Sequence, residues 1–149
     1  MNWFYNFFKR FMNYFGRFRL INDRIDNQPY LERYYLFLKN RKKFPFNIFL
    51  HKFLKSDPDD LHDHPWSFIS IPIYPGYWEY LENNKKPIWR VPFSLKYASA
   101  NTFHRVKLHE DYNYCWSIFI PGKQTRDWGF KTELGWINNE KYLLEKKNN

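Results

Sequence analysis

The sequence predicts an all-β fold, a closed barrel or two-sheet jelly roll, preceded by an amphipathic helix. Three observations support it. From residue 30 onward, short runs of β-branched and aromatic residues recur about every ten residues. Clusters of turn-forming residues separate these runs. The opening segment instead repeats its apolar residues at intervals of three and four.

The opening, MNWFYNFFKRFMNYFGRFRL, sets Phe4, Phe8, Phe11, Phe15 and Phe18 on one side, joined by Trp3, Phe7 and Met12. Asn2, Asn6, Lys9, Arg10, Asn13 and Arg17 lie on the other. This is the stripe of an amphipathic helix, assigned to residues 1–22. It lacks the uninterrupted apolar core and small-residue cleavage site of a signal peptide. Its apolar face is expected to dock over a sheet or a subunit interface; peripheral contact with a membrane, basic residues flanking the aromatic face, is the other reading.

Strands are expected at 30–38, 46–54, 66–73, 77–82, 88–91, 94–97, 103–108, 114–120 and 125–130, within a barrel spanning 30–140. Asp57-Pro58-Asp59, Pro75-Gly76, Asn83-Asn84-Lys85, Ala100-Asn101, His109-Glu110-Asp111 and Pro121-Gly122 punctuate them. Many short strands at even spacing indicate a barrel or jelly roll. The tail, 141–149, is expected as a short helix that frays.

With 149 residues, 44% of them hydrophobic, the chain suits one domain with a substantial core. Its single cysteine, Cys115, has no internal disulfide partner, so a reducing cytoplasm is the default. The residue lies in mid-strand and is expected in the core. The net charge of +9 favours an acidic partner: nucleic acid, an anionic membrane surface or a small anionic molecule. No helix-turn-helix, zinc-finger or RNA-binding signature accompanies the basic residues, and nucleic acid is the least favoured of the three.

The stretch DDLHDHPWSFISI holds two of the five histidines one residue apart. On a strand, His62 and His64 point the same way with β-carbons about 7 Å apart, while Asp63 points the other way. A third ligand must come from elsewhere, and His104 in SANTFHRVKL, which follows a turn and opens a strand, is the best candidate. Three neutral imidazoles bind Zn²⁺ and other first-row divalent ions and leave positions open. Asp57, Asp59, Asp60 and Asp63 read as turn residues or as acceptors for the outer imidazole nitrogens, the turn being favoured.

These residues resemble the motifs of the cupin family of small β-barrels, G-x5-H-x-H-x3,4-E-x6-G and G-x5-P-x-G-x2-H-x3-N. His62, His64 and Gly76 match the first, and His104 the second, whose inner glycine falls on Asn101. The run from Lys55-Ser56-Asp57-Pro58-Asp59 through Pro75-Gly76-Tyr77 and His104-Arg105 to Trp128-Gly129-Phe130 is also similar to uncharacterised cupin-like proteins of bacteria and their viruses. The motif glutamate would fall at Phe68 or Ile69, and Phe93, Ser99 and Leu108 replace the second motif's other fixed residues. The metal site therefore rests on three histidines, with Glu79 a candidate acid beside the cavity and His51 a candidate further imidazole.

The resemblance implies a cupin-type jelly roll, a divalent metal ion (Fe²⁺ first, then Zn²⁺, Mn²⁺ or Ni²⁺) and a homodimer. Tyr77, Trp116 and Trp128, with Arg90, Lys96, Arg105 and Arg126, are expected to line the cavity and hold a small anionic substrate. Three functions follow. An iron-dependent dioxygenase is the first, as in the cupin-type thiol dioxygenases this site resembles. A sugar or nucleotide-sugar isomerase or epimerase, with Tyr77 returning a proton, is the second. A non-catalytic binder of small molecules or nucleotides is the third.

Overall fold

The computed structural model describes residues 3–41, 44–58 and 60–148. Helix α1 (Trp3–Tyr14) leads into strands β1 (Phe18–Asn22), β2 (Pro29–Tyr35), β3 (Phe49–Phe53), β4 (Leu61–His62), β5 (Phe68–Tyr74) and β6 (Tyr77–Leu81). Strands β7 (Ile88–Arg90), β8 (Lys96–Ala98), β9 (His104–Lys107), β10 (Cys115–Pro121), β11 (Gly129–Thr132) and β12 (Gly135–Asn138) follow, and helix α2 (Asn139–Asn148) ends the chain. The strands form two six-stranded sheets, ordered β1-β2-β3-β10-β5-β8 and β12-β11-β4-β9-β6-β7, with every pairing antiparallel. Consecutive strands often lie in opposite sheets, as in a jelly roll. The all-β expectation with a leading helix is met.

Inward residues of both sheets close the core. Tyr77, Val106, Leu108 and Cys115 form a buried cluster with Phe53 packed against it. Parity along the strands sets which side chains enter: Cys115 and Ser117 of β10 are buried inside, while Trp116 between them points outward.

The opening divides differently from the expectation of one helix over 1–22. Gly16, at φ +61°, ends α1: its N–H donates to the Asn13 carbonyl at 2.8 Å and the Arg17 N–H to the Met12 carbonyl at 2.7 Å. The chain then re-enters as β1, which pairs with β2 from Phe18 to Asn22. The helix lies on the outer face of the first sheet. Met12 is buried, the Phe8 ring meets Tyr34 at 5.0 Å, Tyr5 meets Trp116 at 6.1 Å, and Lys9 pairs with Glu32 at 2.5 Å. Tyr34 is thereby fully enclosed. A row of rings in contact, Trp3, Phe7, Phe11 and Phe15, runs along the exposed flank of the helix. Among the described residues, no helix is long and apolar enough to cross a membrane.

The tail is a ten-residue helix pinned to the second sheet. Tyr142 stacks on Phe130 at 3.9 Å, and its hydroxyl donates to Asp60 at 2.5 Å.

Candidate metal centre

Pairing between short strands builds the site. His62 on β4 stands directly opposite His104 on β9, and His64 follows two residues later on the same side. Ring centroids are 5.0 Å apart for His62 and His104 and 5.1 Å for each of the other two pairs. One ring nitrogen from each lies within 4.8 Å of the others. Nε2 of His64 and Nε2 of His104 are 2.8 Å apart. Three imidazole nitrogens gathered this closely are a donor set that could hold a first-row divalent ion.

Behind the triad, Glu79 decides which nitrogen His104 offers. Its carboxylate is completely enclosed and accepts from Nδ1 of His104 at 2.7 Å, from Nε of Arg90 at 2.7 Å, and from Nζ of Lys96. A carboxylate can only accept, so Nδ1 carries the proton and Nε2 presents a bare lone pair. Burial, then the Lys96 charge and the other two imidazoles, hold His104 well below the usual histidine range. Burial, then His62 and Lys96, do the same for His64. Both rings stay neutral, the form that ligates. Burial also draws the Lys96 ammonium down to about 7.

The position of the missing motif glutamate is filled by the Phe68 ring, 4.8 Å from His64 and 5.5 Å from His104. In front of the triad lies a cavity of about 350 Å³ between the sheets. Tyr77 and Trp128 line it as expected, together with Phe119 and Phe130. The other expected lining residues do not reach it. Glu79, Arg90 and Lys96 form the ion cluster that backs His104. Arg105 lies over the Tyr80 ring at 4.1 Å, one residue out of phase with inward His104. Trp116 packs under α1 against Tyr5 and Tyr34. Arg126 pairs with Asp63 at 2.8 Å and donates to Asn101 at 2.6 Å. Arg105 and Trp116 are turned away by strand parity, whereas Arg90 and Lys96 are drawn off the cavity by Glu79 and Arg126 by Asp63.

His51 is not a further ligand. It sits on β3 of the facing sheet, where Nε2 accepts from Nε of Arg33 at 3.0 Å. Arg33 lines the cavity and is a residue the sequence reading missed. Its signal was weak, because Glu32 and Tyr34 on the opposite side of β2 are buried too, under α1, and no alternation marks the inner face.

The aspartates brace the loops. Asp63, fully buried between the two histidines, accepts from the Gly129 N–H at 2.7 Å and from Nε1 of Trp136 at 3.1 Å. Asp57 accepts from the Val106 N–H at 2.6 Å and from the Tyr30 hydroxyl. Neither contacts an imidazole among these bonds, in keeping with the turn reading; Asp59 lies outside the described residues.

Comparison with solved structures defines the class of protein: the chain has the cupin fold. It is similar to a cupin-2 domain protein of Rhodospirillum rubrum, with TM-score 0.61, 11% identity, and coverage of 79% of this chain and 78% of that one. It is similar to a cupin-like protein of Thermotoga maritima, with TM-score 0.52, 15% identity, and coverage of 75% and 81%. Fe(II)-HppE bound to an alternative substrate, (S)-1-HPP, aligns with TM-score 0.56 and 11% identity over 71% of this chain; the chain spans 56% of that protein's length. No family model matches the sequence, and no curated protein matches it.

Proposed function

We propose that this chain is a metal-dependent cupin enzyme of the iron-dependent dioxygenase type, acting on a small anionic molecule. The observation that carries this reading is the convergence of three imidazoles on one wall of a cavity between the sheets, with an aromatic ring where a fourth ligand would stand. His62, His64 and His104 would hold the ion, and a bound Fe²⁺ would supply redox chemistry with positions left open for reactants. Glu79 keeps His104 in its ligating tautomer. Phe68, Phe119, Phe130 and Trp128 exclude water from the reacting volume. Burial pushes the Tyr77 phenol up to about 12, so it remains a neutral hydroxyl beside Ser70, at 3.0 Å, available to hold a substrate oxygen. That Fe(II)-HppE shares the fold agrees with iron as the ion.

The placement of Tyr77 at the cavity also favours a second reading, a sugar isomerase or epimerase in which its hydroxyl returns a proton. Elemental analysis of chain purified without chelator, with oxygen uptake recorded on candidate substrates, tests both. Stoichiometric iron in the wild type, lost in His62→Ala and His104→Ala and kept in His51→Ala, is expected. A wild-type chain that takes up no divalent ion removes the proposal, and metal without oxygen uptake turns it to the isomerase.

A further inference from the structure

The two sheets meet the cavity with opposite chemistry. The triad belongs to one, and the facing sheet contributes Arg33 of β2 and His51 of β3, paired across the ladder in direct register. Arg33 is a partly buried guanidinium stacked on Phe49 at 4.7 Å, with the Tyr35 phenol beside it on the same strand face. Among the described residues, no carboxylate lies within ion-pair distance of it. Arg90 and Lys96 are met by Glu79, and Arg126 by Asp63, whereas Arg19 and Arg24, which also line the cavity, are exposed to solvent. Holding a guanidinium out of water without a counter-charge is costly, so a sheet that keeps one there is built for an anion.

His51 supplies the second, independent observation. The residue is 3% exposed, and its Nε2 is committed to Arg33, which places its own proton on Nδ1. That buried Nδ1 has no hydrogen-bond partner. An unpaired buried donor lies beside a partly buried cation that no carboxylate meets. The bond to His51 uses Nε of Arg33, which leaves the two terminal nitrogens, a parallel donor pair matched to the two oxygens of an oxyanion.

We propose that Arg33, oriented by His51, anchors the oxyanion group of a small organic substrate on the wall facing the three histidines. This deepens the preceding reading and rests on it for the opposite pole of the site. The ligand would be an organic acid, a carboxylate or a phosphate ester, with its anionic end on Arg33 and its reactive end toward the triad. Arg33 selects the substrate's charge, and the triad is untouched by its removal.

Calorimetric titration of the full chain with succinate and with inorganic phosphate, both with Co²⁺ added and after chelator treatment, tests the anchor. Arg33→Gln should weaken the better probe roughly ten- to hundredfold, while Co²⁺ uptake stays that of the wild type. Arg33→Lys should recover part of the affinity, since it restores charge without the fork. Succinate and phosphate carry the carboxylate and phosphoryl arms, and Arg33-dependent binding of either supports the anchor. Equal affinity in Arg33→Gln, or no binding of either probe to wild-type chain at ~10 mM, overturns it. A chain that binds the anion through Arg33 and takes up no metal retains the anchor and loses the metal reading, so the two failures are distinct.

Discussion

The Glu79 carboxylate and the His104 imidazole lie 2.7 Å apart, one completely enclosed and the other opening on the cavity. Glu79 sits on β6 and His104 on β9, adjacent strands of one sheet, so the bond costs no long-range closure. Its oxygens also hold Lys96 and Arg90, which ties β7 and β8 to the ligand-bearing strand. A single acid thus sets the tautomer of a ligand and meets one buried and one partly buried cation.

Glu79→Gln is therefore expected to lower metal affinity about 10- to 100-fold, as removal of an outer-shell partner does elsewhere. The amide can still accept from Nδ1, but Lys96 and Arg90 lose their counter-ion, so the variant should also unfold at lower denaturant. Competition titration against a chromophoric chelator, with urea unfolding of the metal-free chain, separates the two effects. Unchanged affinity would show that Glu79 serves packing alone.

Much of the fold and the triad was legible in the sequence because both follow local rules. His-x-His on one strand fixes two side chains on one side, and a histidine at the mouth of a strand after Ala100-Asn101 completes them. Turn clusters located most strands from β2 onward, but β4 and β12 were not among those expected. The rest depended on parity or on tertiary cover. Phe15 and Phe18 continue the helical spacing past Tyr14, where α1 ends, by coincidence, which hid β1. Arg105 and Trp116 were assigned inward, and each lies one residue from an inward neighbour. Arg33 was invisible because α1, a separate element, buries the other side of its strand.

Docking of α1 is expected to fail in acid. Burial works to raise the Glu32 carboxyl, but the bonds from Lys9, Tyr34 and Tyr5 outweigh it and hold the group below its ordinary 4.5. A carboxyl depressed in the folded state adds stability that is fully present above about 4.5 and is lost as the pH falls through the folded value. Urea unfolding of the wild type and Glu32→Gln should differ most near neutrality, and the gap should close below about pH 4.5. A gap that does not change with pH would mean that the carboxylate charge plays no part in seating the helix.

Asp63 is the point at which the histidine loop meets β11 and β12. It is fully buried, paired with Arg126 and bonded to the Gly129 N–H and the Trp136 indole. Asp63→Ala leaves the buried Gly129 N–H without its acceptor, which costs about 1–3 kcal/mol. Denaturant unfolding reads this directly. Because His62 and His64 flank the residue, metal stoichiometry should fall in the folded fraction as well; full retention of metal would show that the β4–β9 pairing alone positions them.

Gly76 links backbone geometry to the site, and a paired substitution isolates the reason. It sits at φ +114°, and a Cβ there would lie 2.5 Å from the Arg90 carbonyl oxygen and 2.9 Å from the Trp89 ring. Gly135, at φ +98°, has nothing within 4 Å of the same position. Alanine at 135 therefore meets only the backbone strain of a left-handed conformation, about 1–3 kcal/mol. Alanine at 76 meets that strain and must also push β7 away from β6, which draws Arg90 off Glu79 and loosens the support of His104. Gly76→Ala should thus unfold at lower denaturant than Gly135→Ala and bind metal more weakly, whereas Gly135→Ala keeps wild-type metal affinity. Equal destabilisation of the two variants would show that conformational strain, and not contact with β7, is what requires glycine at 76.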